Sequence, residues 1–131
     1  MSKTVIDCGN CGPDYNSIRK LIQTHFDAVV LQTHGLEDCL ELLARRPVDL
    51  VTVNRKLDRD YTDGLEVIRG IKADPRFAQL PVMLITNYED QQDEAVAAGA
   101  VRGFGKLAIG ESSTISLLQP HLGATKAAPA L

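Results

Sequence analysis

The chain has 131 residues, of which 44% are hydrophobic and 24% are charged, so it is long enough for one domain with a substantial core. Its formal net charge of −3 offers no basic surface of the kind that binds nucleic acid. No apolar run approaches the roughly 20 residues that a membrane helix needs, and the first residues lack the apolar region of a signal peptide. We therefore expect a cytoplasmic domain that binds neither nucleic acid nor membrane.

Short apolar runs alternate with segments of helical periodicity, which is typical of βαβ units and a parallel sheet. Five apolar runs predict strands at residues 4–6, 28–31, 48–53, 81–86 and 101–104. The segments between them predict five helices: one that Asp14 caps and that ends near His25, and four more within residues 36–46, 65–71, 89–98 and 112–119. This pattern predicts one domain over residues 1–122, followed by a disordered tail at residues 123–131.

Cys8 and Cys11 form a C-x-x-C pair between the first strand and the first helix. A helix N-terminus stabilises a thiolate, so a redox function is one interpretation of this pair. The alternative is steric, because glycine-rich loops also take small residues. A lone C-x-x-C lacks the four ligands of a zinc site. Cys39 lies among leucines at helical spacing, which predicts that it packs in the core.

Four motifs in the expected order resemble the receiver domain of response regulators, the CheY-like family. They are DGLEVI at 63–68, LPVMLIT at 80–86, AAGA at 97–100 and GFGK at 103–106. The resemblance covers residues 3–122. It implies a flavodoxin-like, three-layer α/β/α sandwich with a five-stranded parallel sheet of order 2-1-3-4-5, and a site at the carboxyl ends of strands 1, 3 and 4.

Three residues match the functional positions of that family. Asp7 matches the first of two acidic residues that, together with a phosphorylated aspartate, hold a magnesium ion. Thr86 matches the switch threonine and Lys106 matches the lysine, both of which contact the phosphoryl group in the family.

Four other positions depart from the family pattern. Cys8 replaces the second acidic residue, and Asn54 replaces the phosphorylated aspartate. Gly103 stands at the position of the switch aromatic, and Leu107 stands where proline usually follows the lysine. A carboxylate can attack a phosphoryl donor, whereas an amide cannot. The resemblance therefore implies a degenerate phosphorylation pocket made of Asp7, Cys8, Asn54, Thr86 and Lys106.

The losses leave one carboxylate and one lysine of the family's charged site. We expect Asp7, Asn54 and Lys106 to pair directly and to occupy the old pocket. Magnesium is then not needed to neutralise the site, and Asp7 is the one side chain left as a candidate metal ligand. We expect no catalytic residue, no cofactor and no enzymatic activity.

These observations predict a stand-alone atypical receiver of a bacterial two-component or phosphorelay pathway, which binds a signalling partner independently of phosphorylation. The expected contact region, which also suits a homodimer, is the face of helix 4, strand 5 and helix 5, with Ala95, Val96, Ile109, Ile115 and Leu118. Two alternatives stay open. One is a phosphorylatable or metal-binding receiver with unusual chemistry at Asp7, and the other is a thiol redox sensor that uses Cys8 and Cys11.

Overall fold

Strands and helices alternate in the computed structural model, which describes residues 2–126. The strands are β1 (Lys3–Cys8), β2 (Ala28–Thr33), β3 (Leu50–Asn54) and β4 (Val82–Ile85). The helices are α1 (Gly12–His25), α2 (Leu36–Arg45), α3 (Gly64–Ala73), α4 (Glu89–Ala97) and α5 (Ser112–Leu122). Single 3-10 turns lie at Pro75–Phe77 and Lys106–Ala108. Within residues 2–126, no helix has the length and apolar character needed to cross a membrane.

The four strands are parallel and lie in the order β2-β1-β3-β4. Cys8 pairs with Val53, and Asn54 pairs with Ile85, so β1, β3 and β4 end at the same edge of the sheet. Helices cover both faces, which is why the strands are continuous apolar runs. The predicted α/β class and the order of these strands are confirmed.

Successive side chains of β1, β3 and β4 enter two separate cores, as the two-residue period of a strand requires. Ile6, Val51 and Leu84 pack against one core, which also contains residues of α2 and α3. Val5, Leu50 and Met83 pack against the other, which contains residues of α1 and α5. The first core includes Leu57 and the second includes Phe104, and both residues lie in loops at the sheet's carboxyl edge. Cys39 is fully buried in the first core, as predicted.

The predicted fifth strand is wrong, because residues 101–104 pair with β4 through a single parallel bridge between Met83 and Val101. In a regular parallel ladder, the next bonds would join the Gly103 N–H to the Leu84 carbonyl and the Thr86 N–H to the Gly103 carbonyl. Instead, the Gly103 N–H donates to Gln92 Oε1 over 2.8 Å. The Gln92 Nε2 donates to the Leu84 carbonyl over 3.0 Å. The buried amide of Gln92 thus takes the place of a ladder bond.

Two predicted boundaries also differ. Asp14 does not cap α1, which begins at Gly12 and is preceded by Cys11, so Asp14 lies inside the first helical turn. Of the predicted tail, residues 123–126 are described, and the Lys126 N–H donates to the His25 carbonyl over 2.8 Å. This contact holds the start of that segment against α1. Residues 127–131 lie outside the described part of the chain.

Candidate functional site

Asp7 lies near the end of β1 and is fully buried. Its Oδ1 accepts from Thr52 Oγ1 over 2.7 Å and from Asn10 Nδ2 over 2.9 Å. Its Oδ2 and the Oδ1 of Asn10 are both buried and have no hydrogen-bond partner within residues 2–126. Burial raises the pKa of Asp7 to about 6, because it outweighs the two hydrogen bonds and the attraction of Lys106.

Cys8 points to the opposite face of β1, into the core beside α2 and α3. Its Sγ donates to the Gly35 carbonyl over 3.5 Å. A hydrogen bond with Cys39 raises the pKa of the Cys8 thiol, and burial raises it further. Cys11 is exposed, and its Sγ donates to Asp14 Oδ2 over 3.4 Å. The two thiols of the C-x-x-C pair therefore lie in different environments with different partners.

Asn54 is the last residue of β3, and its side chain joins two loops. Its Nδ2 donates to the Gly9 carbonyl over 3.3 Å and to the Lys56 carbonyl over 2.6 Å. Both bonds require a donor, which an amide has and a carboxylate lacks. An aspartate here would place a charged acceptor against two carbonyl oxygens. The local structure is therefore built for the amide.

Lys106 Nζ donates to Asp14 Oδ2 over 2.7 Å, and this contact lowers the pKa of Asp14. The predicted cluster of Asp7, Asn54 and Lys106 is therefore wrong. Lys106 pairs with a carboxylate that stays partly exposed in the first turn of α1, whereas Asp7 is buried and Asn54 bonds carbonyls. The place of Asp14, shortly after β1, is the signal in the sequence that could have identified this partner.

Thr86 is buried, and its hydroxyl donates to the side chain of Gln91. The Tyr88 N–H donates to the same hydroxyl oxygen over 3.3 Å. The predicted switch threonine is therefore engaged within its own loop. Tyr88 itself lies at the surface, with 63% of its area exposed.

Gly103, at the position of the family's aromatic residue, approaches β4 very closely. A Cβ atom at this position would lie 2.4 Å from the Leu84 carbonyl oxygen and 3.1 Å from the Met83 Cβ. Any side chain would therefore have to move the backbone of β4 or of residues 101–104. The backbone at this position therefore leaves no room for an aromatic side chain.

The residues present do not fit a magnesium ion. Within residues 2–126, no group of three His, Cys, Asp or Glu side chains is placed to hold a metal. Of the three acidic positions that the resemblance implies, Asp7 alone has a carboxylate, since Cys8 points to the opposite face and Asn54 presents its Nδ2 to carbonyls. The nearby carboxylate of Asp14 is paired with Lys106. Magnesium prefers a near-octahedral set of oxygen ligands, which this arrangement lacks.

A pocket of about 370 Å³ opens beside Asn54 at the carboxyl edge of the sheet. It is lined by residues 54–56, 85–88, 91 and 106, and we call it the edge pocket. Asn54, Thr86 and Lys106 of the predicted site meet there, whereas Asp7 and Cys8 do not line it.

Comparisons with known proteins identify the family and the fold. A family model described as the response regulator receiver domain matches residues 14–107. A putative response regulator from Chloroflexus aurantiacus J-10-fl is similar in structure, with a TM-score of 0.80 and 14% identity over 93% of this chain and 98% of that chain. A sensor protein from Polaromonas sp. JS666 is similar with a TM-score of 0.75 and 19% identity, over 89% of this chain and 94% of that chain.

The Mn²⁺-bound form of response regulator Rcp1 is also similar, with a TM-score of 0.71 and 17% identity over 98% of this chain and 99% of that chain. At such identities the solved structures share the fold alone. A search of the curated proteins finds no match. The match to the family model covers most of the chain and includes β3, β4 and the lysine of the site. The chain belongs to the response regulator receiver domain family.

Proposed function

We propose that this receiver domain acts in signal transduction as a protein-interaction module that does not depend on phosphorylation. The observation that carries the proposal is the side chain of Asn54, which occupies the phosphoacceptor position and donates to the carbonyls of Gly9 and Lys56. An amide is not a phosphoryl acceptor of the carboxylate kind. The residue is therefore a fixed link between two loops.

The groups that would assist phosphorylation are also engaged elsewhere. Lys106 pairs with Asp14, and the Thr86 hydroxyl donates to Gln91. Phosphoryl transfer depends on positioned cations that neutralise the developing charge. Residues 2–126 hold no fitting group of metal ligands, so the remaining groups would neutralise that charge less well.

Residue 103 is a glycine, so the segment at residues 101–104 lacks the switch aromatic residue that the family has at this position. The bridge of Gln92 between Leu84 and Gly103 fills the space beside β4 and holds this segment in one position. We infer that the domain presents a constant surface to a signalling partner. On the expected face of helices α4 and α5, Ala95 and Leu118 are core residues, whereas Val96 is 44% exposed. A homodimer through this face would bury Val96, and Val96→Asp would then shift the sedimentation coefficient to that of the monomer.

The thiol alternative is not favoured by the geometry. A redox pair needs an accessible thiolate, whereas the pKa of Cys8 is raised by its hydrogen bond with Cys39 and by burial. Cys11 is exposed, but it contacts Asp14 and not the other thiol of the pair.

Intact mass spectrometry after incubation with acetyl phosphate and Mg²⁺ tests the proposal. We expect no mass increase of one phosphate under conditions that label an ordinary receiver domain included as a positive control. A stoichiometric phosphate mapped to the residues around the edge pocket would refute the proposal.

The variant Asn54→Asp extends this test. Restoring the carboxylate removes the two donated hydrogen bonds and leaves Gly103 and Cys8 unchanged. We expect little labelling, and chemical-shift changes confined to the loops that Asn54 joins. Strong labelling accompanied by shift changes across residues 101–104 would show that the switch needs only one residue to be restored.

A further inference from the structure

The edge pocket is locally positive in a chain whose net charge is −3. Arg55, Lys56 and Lys106 line it, and no aspartate or glutamate does. The other polar side chains of its lining are uncharged amides and hydroxyls. A concave site with three cations and no carboxylate in its lining is complementary to a negatively charged group.

Two of these cations are held in place and the third is available. Arg55 Nη1 lies 3.2 Å from Asp63 Oδ1, and Lys106 Nζ lies 2.7 Å from Asp14 Oδ2. The Arg55 Nε is buried and has no acceptor within residues 2–126. Lys56 is exposed and forms no ion pair in the same part of the chain. The lining of the pocket therefore offers Lys56 as a cation that has no counter-ion within residues 2–126.

One large, exposed aromatic side chain lines the pocket beside these charges. Tyr88 lines the pocket and is 63% exposed, and Leu107, which follows Lys106, is 85% exposed. These are among the few large hydrophobic side chains that are exposed in residues 2–126. An aromatic anchor beside a cationic pocket is typical of surfaces that bind a segment of another protein. A free inorganic anion would not use that apolar surface.

We propose that the edge pocket binds an acidic segment of a partner protein. A carboxylate of the segment lies among Arg55, Lys56 and Lys106, and a neighbouring apolar residue packs on Tyr88. This inference rests on the proposed function, because a pocket that is not phosphorylated is available to the partner at all times.

Selection from a phage-displayed library of random dodecapeptides on the immobilised wild-type protein tests this proposal. We expect enrichment of peptides with net negative charge and an aromatic or aliphatic residue. Enriched peptides are then labelled with fluorescein, and their affinities are measured by fluorescence anisotropy. Affinity should fall as salt is added, since the interaction is electrostatic and partly exposed.

Three variants locate the binding site. Lys56→Glu should weaken binding by about tenfold or more, which equals about 1.4 kcal/mol. Tyr88→Ala should weaken it by a similar factor of about ten. Lys20→Glu makes the same charge change at an exposed residue of α1 outside the pocket and should leave the affinity within about twofold of the wild type.

Several outcomes would overturn the inference. They are the absence of enrichment, enrichment of neutral or basic peptides, and an equal loss of affinity in Lys20→Glu. An unchanged affinity in Tyr88→Ala, together with displacement of the peptide by inorganic phosphate, would identify a simple anion site and refute a peptide site.

Intact mass measured on the same protein separates this inference from the proposed function. A chain that gains phosphate while it binds acidic peptides refutes the phosphorylation-independent function alone. A chain that gains no phosphate and selects no acidic peptide refutes the inference alone.

Discussion

Replacing Asp7 with asparagine should stabilise the protein at neutral and alkaline pH. The carboxyl group is fully buried, and one of its oxygens has no hydrogen-bond partner within residues 2–126. Asparagine has a similar shape and keeps an oxygen that accepts from Thr52 and Asn10. It carries no charge at any pH. The variant therefore removes the ionisation and preserves the side chain's volume.

The size of the effect follows from the pKa of Asp7, which burial raises from 3.8 to about 6. The folded chain holds the proton more tightly than the unfolded chain between these two values. The contribution of Asp7 to stability is therefore fully present below pH 3.8 and is lost as the pH rises through about 6. A pKa unit corresponds to 1.36 kcal/mol, so ionisation destabilises the fold by about 3 kcal/mol.

Urea unfolding of both proteins between about pH 4.5 and pH 8 measures this contribution, because other carboxyl groups cancel in the difference between them. The stability of Asp7→Asn relative to the wild type should rise by about 2 kcal/mol over this range. Asp27→Asn, at an exposed aspartate, is the matched control and should show no such pH dependence. A difference that is constant with pH, or that falls as pH rises, would refute the reasoning.

Three further predictions concern the segment at residues 101–107. Gly103→Ala should lower the free energy of unfolding by about 1–3 kcal/mol, because its Cβ meets the Leu84 carbonyl. Gly110→Ala is the control, since a Cβ added at Gly110 has no neighbouring atom within 4 Å. An equal loss of stability in both variants would contradict this prediction. Gln92→Leu should lose about 2–4 kcal/mol, since it leaves the Gly103 N–H and the Leu84 carbonyl unpaired; amide exchange at Gly103 that is no faster than in the wild type would argue otherwise. Leu107→Ser should change the free energy of unfolding by less than about 0.5 kcal/mol and leave the melting temperature almost unchanged, because Leu107 is exposed. A large loss of stability would show that this side chain packs against the fold.

The order of elements could be predicted from the sequence because it depends on local periodicity. The apolar runs of β1, β3 and β4 are buried on both faces, so their composition reports their position directly. The identity of Asn54 at the end of β3 likewise follows from reading the chain against the family pattern. The absence of the nucleophile is thus a prediction made from the sequence.

The departure of residues 101–104 from a regular strand could not be predicted in the same way. The segment at residues 101–104 is short and partly apolar. Its ladder bond to β4 is replaced by a bond to the side chain of Gln92, which lies on α4. Such a substitution depends on how α4 packs against the sheet. No local pattern in residues 101–104 reports it.

The sequence by itself determined the fold class and the order of elements along the chain, because periodicity and residue type report burial. The resemblance to the family added the order of the strands in the sheet and the prediction that the phosphoacceptor is lost. Only the tertiary structure decided which partners the remaining groups have. Lys106 bonds Asp14, and Asp7 bonds Thr52 and Asn10, although the sequence indicated a direct pairing of Lys106 with Asp7. The physical reason is that several donors and acceptors compete at the sheet's edge. Distance and exposure in the folded chain select among them.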